Sequence, residues 1–328
     1  MRYVSTRGRA AELGFCDALL AGLATDGGLY VPQSWPKQPT MAGSTYASKA
    51  ASLMAPYVEG EIPQDVFAQL CATAYSTFRD PAVVPLVQIA PEHYLLELFH
   101  GPTLAFKDVA LQLIGQLFDY VLTQRNQRVM IVGATSGDTG SAAIDGVKSC
   151  KNVDIVILYP NGRVSDVQRR QMTTITSPNV HTVAVDGTFD DCQDLVKAMF
   201  NDAPFREANS LSAVNSINWA RVMAQTVYYF TALETLAVMK RIYGVSGMLV
   251  DPHTAVGIAS AEACAEPGIP TITLATAHPA KFPDAVKKAT GVHPALPDHV
   301  ADLFDREERI VNLPNDLQAI EAFVASCH

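Results

Sequence analysis

The chain has 328 residues, 48% of them hydrophobic and 17% charged, with a formal net charge of −9. At about 150 residues per domain this length makes about two domains; the composition excludes a disordered chain, and no apolar run has the length of a membrane span. An acidic balance without any block of Lys or Arg repels nucleic-acid backbones and anionic membranes on average, which leaves small molecules as the expected partners.

The opening "MRYVSTRGRAAELGF" lacks the apolar stretch of a signal peptide, so the expected location is the cytoplasm. Two helical tracts, 10–24 and 44–57, flank the connection "DGGLYVPQSWPKQPTMAGS", and a third, 63–78, ends near "RDPAVVP". Residues 1–80 therefore read as a small, mainly helical N-terminal domain, and residues 81–328 as a second, α/β region. In that region β-branched runs at 128–134, 153–160 and 180–187 alternate with helical tracts at 137–149, 165–176 and 190–200. Strand and helix at this pitch imply crossover units and a parallel sheet covered on both faces. One more strand is expected at 271–276 and a terminal helix around 315–326. Cysteines 16, 71, 150, 192, 264 and 327 are widely spaced with no C-x-x-C, so neither a zinc site nor a disulfide framework is expected, and no metal.

Within "HGPTLAFKDVALQLIGQLFDYVL" (100–122), a helix starting at Lys107 places Ala110, Leu111, Ile114, Phe118 and Val121 within about 60° of the lysine around the axis. Either this lysine snorkels from the first turn, or it is a desolvated amine that loses its proton readily and serves as a nucleophile toward a carbonyl cofactor such as pyridoxal phosphate. The turn "VGATSGDTGSAA" (132–143) lies between a predicted strand and a predicted helix, where free amides and the helix dipole make a cradle for an anion. Its glycines do not fit G-x-G-x-x-G and no G-K-[ST] follows, so a small carboxylate or phosphate is the expected guest; the alternative is a helix capped by Ser136 or Asp138. A third cluster in "AVNSINWARVMAQ" (213–225) offers Asn215, Ser216, Asn218 and Arg221 as phosphate donors, or simply an N-capped helix with one arginine. His253 in "DPHTAVG" reads as a base, a ligand or a structural histidine.

Taken in order, "YVSTRG", "TDGGLYVP", "LFHGPTLAFKDVALQ", "VGATSGDTGSAA", "ILYPNGRVSDVQRRQMTT", "GTFDDCQDLVKAMF", "AVNSINWARVMAQ", "DPHTAVG" and "LATAHPAKFPDAV" resemble the threonine synthase family from residue 3 to about 285. The resemblance implies a tryptophan-synthase-like pyridoxal-phosphate fold and conversion of O-phospho-L-homoserine and water to L-threonine and phosphate. It implies Lys107 as the Schiff-base lysine and catalytic acid/base, and Ser136, Gly137, Asp138 and Thr139 as the cradle of the substrate carboxylate. It also places Asn215, Ser216, Asn218 and Arg221 near the substrate phosphate and Thr254 at the pyridine nitrogen.

The chain departs from the family in one place. Members carry a Gly-Asn-Phe-Gly-Asp loop for the cofactor phosphate, and that string occurs nowhere here; "YYFTALETLAV" runs straight into "MKRIYGVSGMLVDPHTAVG". An internal deletion near 236–240 reduces the large domain and is expected to fuse 217–243 into one long helix, since no Gly or Pro interrupts it before Gly244. Three functions follow: an active synthase with an altered phosphate site, a silent remnant that binds a ligand or partner, or another pyridoxal-phosphate lyase on the same scaffold.

Overall fold

A computed structural model describes residues 1–37, 41–90, 93–213, 218–239, 271–290 and 292–327. The first part of the chain folds as β1 (Tyr3–Ser5), α1 (Phe15–Ala21), β2 (Tyr30–Pro32), α2 (Tyr46–Val58) and α3 (Gln64–Tyr75). Next come β3 (Leu86–Ala90) and β4 (His93–Glu97), then α4 (Lys107–Arg125), β5 (Val129–Ala134), α5 (Asp138–Val147), β6 (Val153–Pro160) and α6 (Asp166–Thr173). After them run β7 (Val180–Val185), α7 (Phe189–Asn201), α8 (Ala203–Ala208), β8 (Leu211–Ser212) and α9 (Trp219–Met239). The described chain closes with β9 (Thr271–Ala275), a short helix Pro283–Thr290, β10 (Val311–Leu313) and a terminal helix Leu317–Ser326.

The expected parallel sheet is present; among the described residues it has five strands, in the order β10-β7-β6-β5-β8. Every residue of β6 is buried, as a central strand covered on both faces requires. Asp154 is tolerated there because Arg128 donates to both of its carboxylate oxygens, at 2.6 Å each. The strand expected at 271–276 forms as β9, but it joins a separate sheet, parallel to β4, with β3 antiparallel on the far side.

One apolar cluster runs from Tyr3, Phe15, Leu53 and Phe67 through Ile114 and Phe118 to Trp219 and Met223. The change of pattern at residue 80 thus falls inside a shared core. On the sheet's other face Met130, Val132, Val183, Met199, Ile320 and Val324 form a second cluster under α7 and the terminal helix.

The first helix is shorter than the 10–24 tract. Gly14 precedes it in an extended conformation, and Gly22, at φ 65°, stops it. Its two ends are closed from elsewhere in the sequence. The Glu61 carboxylate accepts from the amides of Phe15 (2.7 Å) and Cys16 (2.9 Å). At the other end Ser212 Oγ donates to the Leu20 carbonyl at 2.8 Å and Asn218 Nδ2 to the Leu19 carbonyl at 2.9 Å.

The long helix expected over 217–243 is α9, continuous for 21 residues from Trp219 to Met239; Asn218 precedes it, and residues 217 and 240–243 of that expectation lie outside the described residues. The two helices that carry the candidate site, α4 and α5, approach so closely that a Cβ on Gly115 would lie 1.8 Å from the Gly146 carbonyl oxygen. Only two facing glycines allow that spacing.

Candidate functional site

The helix α4 begins at Lys107, and the loop before it is fastened to its first turn. Thr103 donates its amide (2.8 Å) and its hydroxyl (2.6 Å) to the two carboxylate oxygens of Asp108. Asp108 is completely buried; burial pushes its carboxyl up to about 7 against the opposing pull of the Thr103 hydroxyl. Lys107 itself keeps one-fifth of its side chain exposed, with its amine over the Phe106 ring at 4.6 Å and 3.9 Å from Asp138 Oδ2. Burial is the main influence on this amine and lowers its proton affinity; Asp138 opposes that shift, Lys281 and Arg221 add to it, and Asp108 opposes it.

The turn that faces Lys107 is organised by a residue the sequence reading did not single out. Thr135 Oγ1 accepts from the amides of Gly137 (2.9 Å) and Gly140 (2.8 Å), so the cap is neither Ser136 nor Asp138. The amides of Ser136, Asp138 and Thr139 have no acceptor among the described residues. They form the open N-terminal end of α5, an arrangement suited to a small anion. Gly137 sits at φ 134°, and a Cβ there would lie 2.4 Å from the Gln168 carboxamide, so both conformation and space require glycine.

Asp138 is held between two lysines. Lys281, in the 3-10 turn Pro279–Lys281, is completely buried, with Nζ 2.5 Å from Asp138 Oδ1 and 2.9 Å from the Thr103 carbonyl oxygen. Gln168 Nε2 donates to the same Asp138 oxygen at 3.0 Å. Burial alone would raise this carboxyl, but the Lys281 and Lys107 ammoniums and these hydrogen bonds bring it down to about 2.

The structure therefore brings together Lys107, Ser136, Gly137, Asp138 and Thr139. Arg221, on α9 and almost completely buried, lies near enough for its charge to bear on Lys107; burial lowers its guanidinium to about 10. Asn218 is completely buried, and its carboxamide serves the fold, donating to Leu19 and accepting from the Ala220 amide at 3.0 Å. Asn215, Ser216, His253 and Thr254 lie outside the described residues. Gln168 carries a capping-box signal in the sequence, with Ser165 three residues before it, whereas Lys281, in a three-residue turn that begins with proline, carries none. Among the described residues no group of three or more His, Cys, Asp or Glu is placed to hold a metal ion.

Two family models match the chain: "Threonine synthase N terminus" over residues 2–75 and "Threonine synthase, C-terminal" over residues 254–324. The chain is 40% identical to threonine synthase of Pseudomonas aeruginosa over an alignment of 460 positions that covers 99% of this chain and 98% of the relative. With threonine synthase of Schizosaccharomyces pombe it is 48% identical over 241 residues, which cover 69% of this chain but only 47% of the relative. Other curated relatives are likewise spanned over about half their length. Among solved structures, a PLP-bound threonine synthase from Brucella melitensis superposes with a TM-score of 0.92 at 39% identity, covering 100% of this chain and 99% of that one. Threonine synthase from Escherichia coli superposes at 0.84 with 25% identity, covering 100% of both chains. Because 460 aligned positions meet only 328 residues, at least 132 positions have no counterpart in this chain.

Proposed function

The chain belongs to the threonine synthase family, and from that premise we propose that it converts O-phospho-L-homoserine and water to L-threonine and phosphate, using pyridoxal 5'-phosphate anchored on Lys107. The observation that carries the reading is the pairing of a shielded amine with an open helix N-terminus: Lys107 faces Asp138 at 3.9 Å, and the free amides of α5 stand beside it. An aldehyde-bearing cofactor requires an amine that gives up its proton, and the lowered proton affinity of Lys107 fits that requirement. When bound, the cofactor supplies an electron sink for charge developing on the substrate carbons.

The chain's own residues then divide the remaining work. Lys107 takes and returns protons along the carbon chain, one amine serving as base and acid in turn. The free amides of Ser136, Asp138 and Thr139 receive the substrate carboxylate, and Gly137, whose own amide is committed to Thr135 Oγ1, shapes the turn that presents them. The Asp138 side chain does not repel that anion strongly, because the buried Lys281 ammonium, 2.5 Å away, offsets its charge. Arg221, with Asn215 and Ser216, supplies donors to the substrate phosphate, Asn218 holds the start of α9, and Thr254 is assigned to the pyridine nitrogen. A small-molecule substrate and a cytoplasmic address complete the reading; no described helix is long and apolar enough to cross a membrane.

The absent positions favour a second reading, a remnant that binds a ligand or partner without turnover. Charge-assisted hydrogen bonds to a phosphate are worth about 1.5–3 kcal/mol each. Losing about three of them, with partial replacement by water, costs about 4–5 kcal/mol, or about a thousandfold in Kd. The expected result is weak cofactor binding and low phosphate release from O-phosphohomoserine. Titration of the purified protein with pyridoxal phosphate should give a visible-edge absorbance band that K107A abolishes. A parent protein without the band leaves only the remnant; tight stoichiometric binding with ordinary turnover shows that another segment holds the phosphate.

A further inference from the structure

A completely buried ammonium needs a counter-charge and acceptors for its protons. Lys281 has both, and the two acceptors belong to different parts of the site: Asp138 Oδ1 opens α5, and the Thr103 carbonyl lies in the loop that leads into Lys107. Two glutamines three residues apart on α6 make the same pair of contacts. Gln168 Nε2 reaches Asp138 Oδ1 at 3.0 Å and Gln171 Nε2 reaches the Thr103 carbonyl at 3.1 Å. Donors from two elements thus converge on one carboxylate oxygen and one carbonyl oxygen, and only the lysine adds charge.

We propose that Lys281 is a positioning residue of the synthase reaction, one that clamps Asp138 to the Thr103 loop and fixes the charge balance around the Lys107 amine. The inference rests on the reading of Lys107 as the cofactor lysine. Four charged groups bear on that amine: Asp138 from α5, Lys281 from the 3-10 turn, Arg221 from α9, and Asp108 on its own helix. Removing Lys281 changes two influences in the same direction. A like charge disappears, and Asp138, deprived of its 2.5 Å partner, turns its whole charge to Lys107. Both make Lys107 hold its proton more firmly; the Asp108 carboxyl, which Lys281 helps to hold down, rises and offsets part of the gain, while Arg221 stays as it is.

The test is trace acetylation with acetic anhydride on cofactor-free protein across a pH series, with the label located at Lys107 by peptide mass spectrometry. In K281M the labelling midpoint should rise by about one pH unit, about tenfold slower labelling at a fixed pH below both midpoints. K281R keeps the charge and should stay close to the parent midpoint. A folded K281M, verified by circular dichroism, with the parent midpoint overturns the inference. If K281M does not fold, K281Q, which keeps a donor for both oxygens and drops only the charge, decides in its place: its midpoint should rise as in K281M, and an unmoved midpoint is the overturning result. A parent Lys107 that titrates as an ordinary exposed lysine overturns the functional reading itself, an outcome distinct from the other two.

Discussion

A single methyl group at the contact between α4 and α5 should cost more stability than its helix propensity returns. A Cβ on Gly115 would lie 1.8 Å from the Gly146 carbonyl oxygen, and one on Gly146 would lie 2.5 Å from the Leu111 carbonyl oxygen. Both obstacles are helix backbone, which cannot rotate aside. To reach 3.4 Å the helices must part by about 1.6 Å in G115A and about 0.9 Å in G146A. A radial gap of about 0.5–1 Å already forfeits a quarter to a half of the dispersion attraction, and this interface buries Leu111, Ile114, Phe118, Ala142, Ala143 and Val147. Overpacking typically costs about 1–3 kcal/mol, with the backbone clash putting G115A at or above the top of that range, while alanine returns about 1 kcal/mol of helix propensity. The net expectation is a loss of about 2–4 kcal/mol for G115A and about 1 kcal/mol for G146A. Urea unfolding followed by far-ultraviolet circular dichroism at constant pH measures both. A G115A midpoint at or above the parent's, the result helix propensity alone would give, refutes the reasoning; so does a larger loss in G146A than in G115A.

The Asp108 carboxyl titrates near 7 when folded against 3.8 when unfolded, so the folded state holds the extra proton between those values and loses stability as pH rises through them. D108N lacks that titration; its unfolding free energy in urea, relative to the parent, should improve between about pH 4 and about pH 8 by on the order of 2–4 kcal/mol, and a constant difference contradicts the assignment. E61A removes the acceptor of the Phe15 and Cys16 amides; because Glu61 is exposed and water partly replaces it, the expected cost is about 1–2 kcal/mol, and an unchanged midpoint shows that α1 does not depend on this cap.

What could be read from the sequence follows the range of the interactions. Lys107 was legible because the apolar positions after it repeat at helical spacing, and the turn at 135–140 because glycines and hydroxyl residues sit between a β-branched run and a helical one. The meeting of the two could be expected, since both serve one bound molecule. Lys281 was not legible. Its turn has no periodicity, and its contact with Thr103 spans 178 positions, a separation no local pattern encodes. Thr135 falls in the turn after the 128–134 run, and nothing local marks its hydroxyl as the cap of the next helix, a role that depends on how sharply the chain turns. The tract at 10–24 looked like one helix because its apolar residues continue past Gly14 and Gly22, where the backbone does not. In β3 and β4, five residues each, the pattern was too short to stand out, and their place is set by β9 more than 170 residues on.

The caps of α1 set an order of events during synthesis. Glu61 lies 46 positions beyond the amide of Phe15, and Ser212 and Asn218 lie 192 and 199 positions beyond the carbonyls they serve. At about 5–20 residues per second, translation needs on the order of 10–40 seconds to deliver the second closure after the helix itself has been made. The first helix of the chain is therefore among the last to be finished. Until residue 218 leaves the ribosome, the carbonyls of Leu19 and Leu20 lack their partners and Trp219 has not arrived to cover Tyr3, 6.3 Å away in the finished protein. During that interval the nascent N-terminal segment displays apolar surface of the kind that chaperones hold and proteases cut, and a chain arrested in its middle third never escapes that exposure.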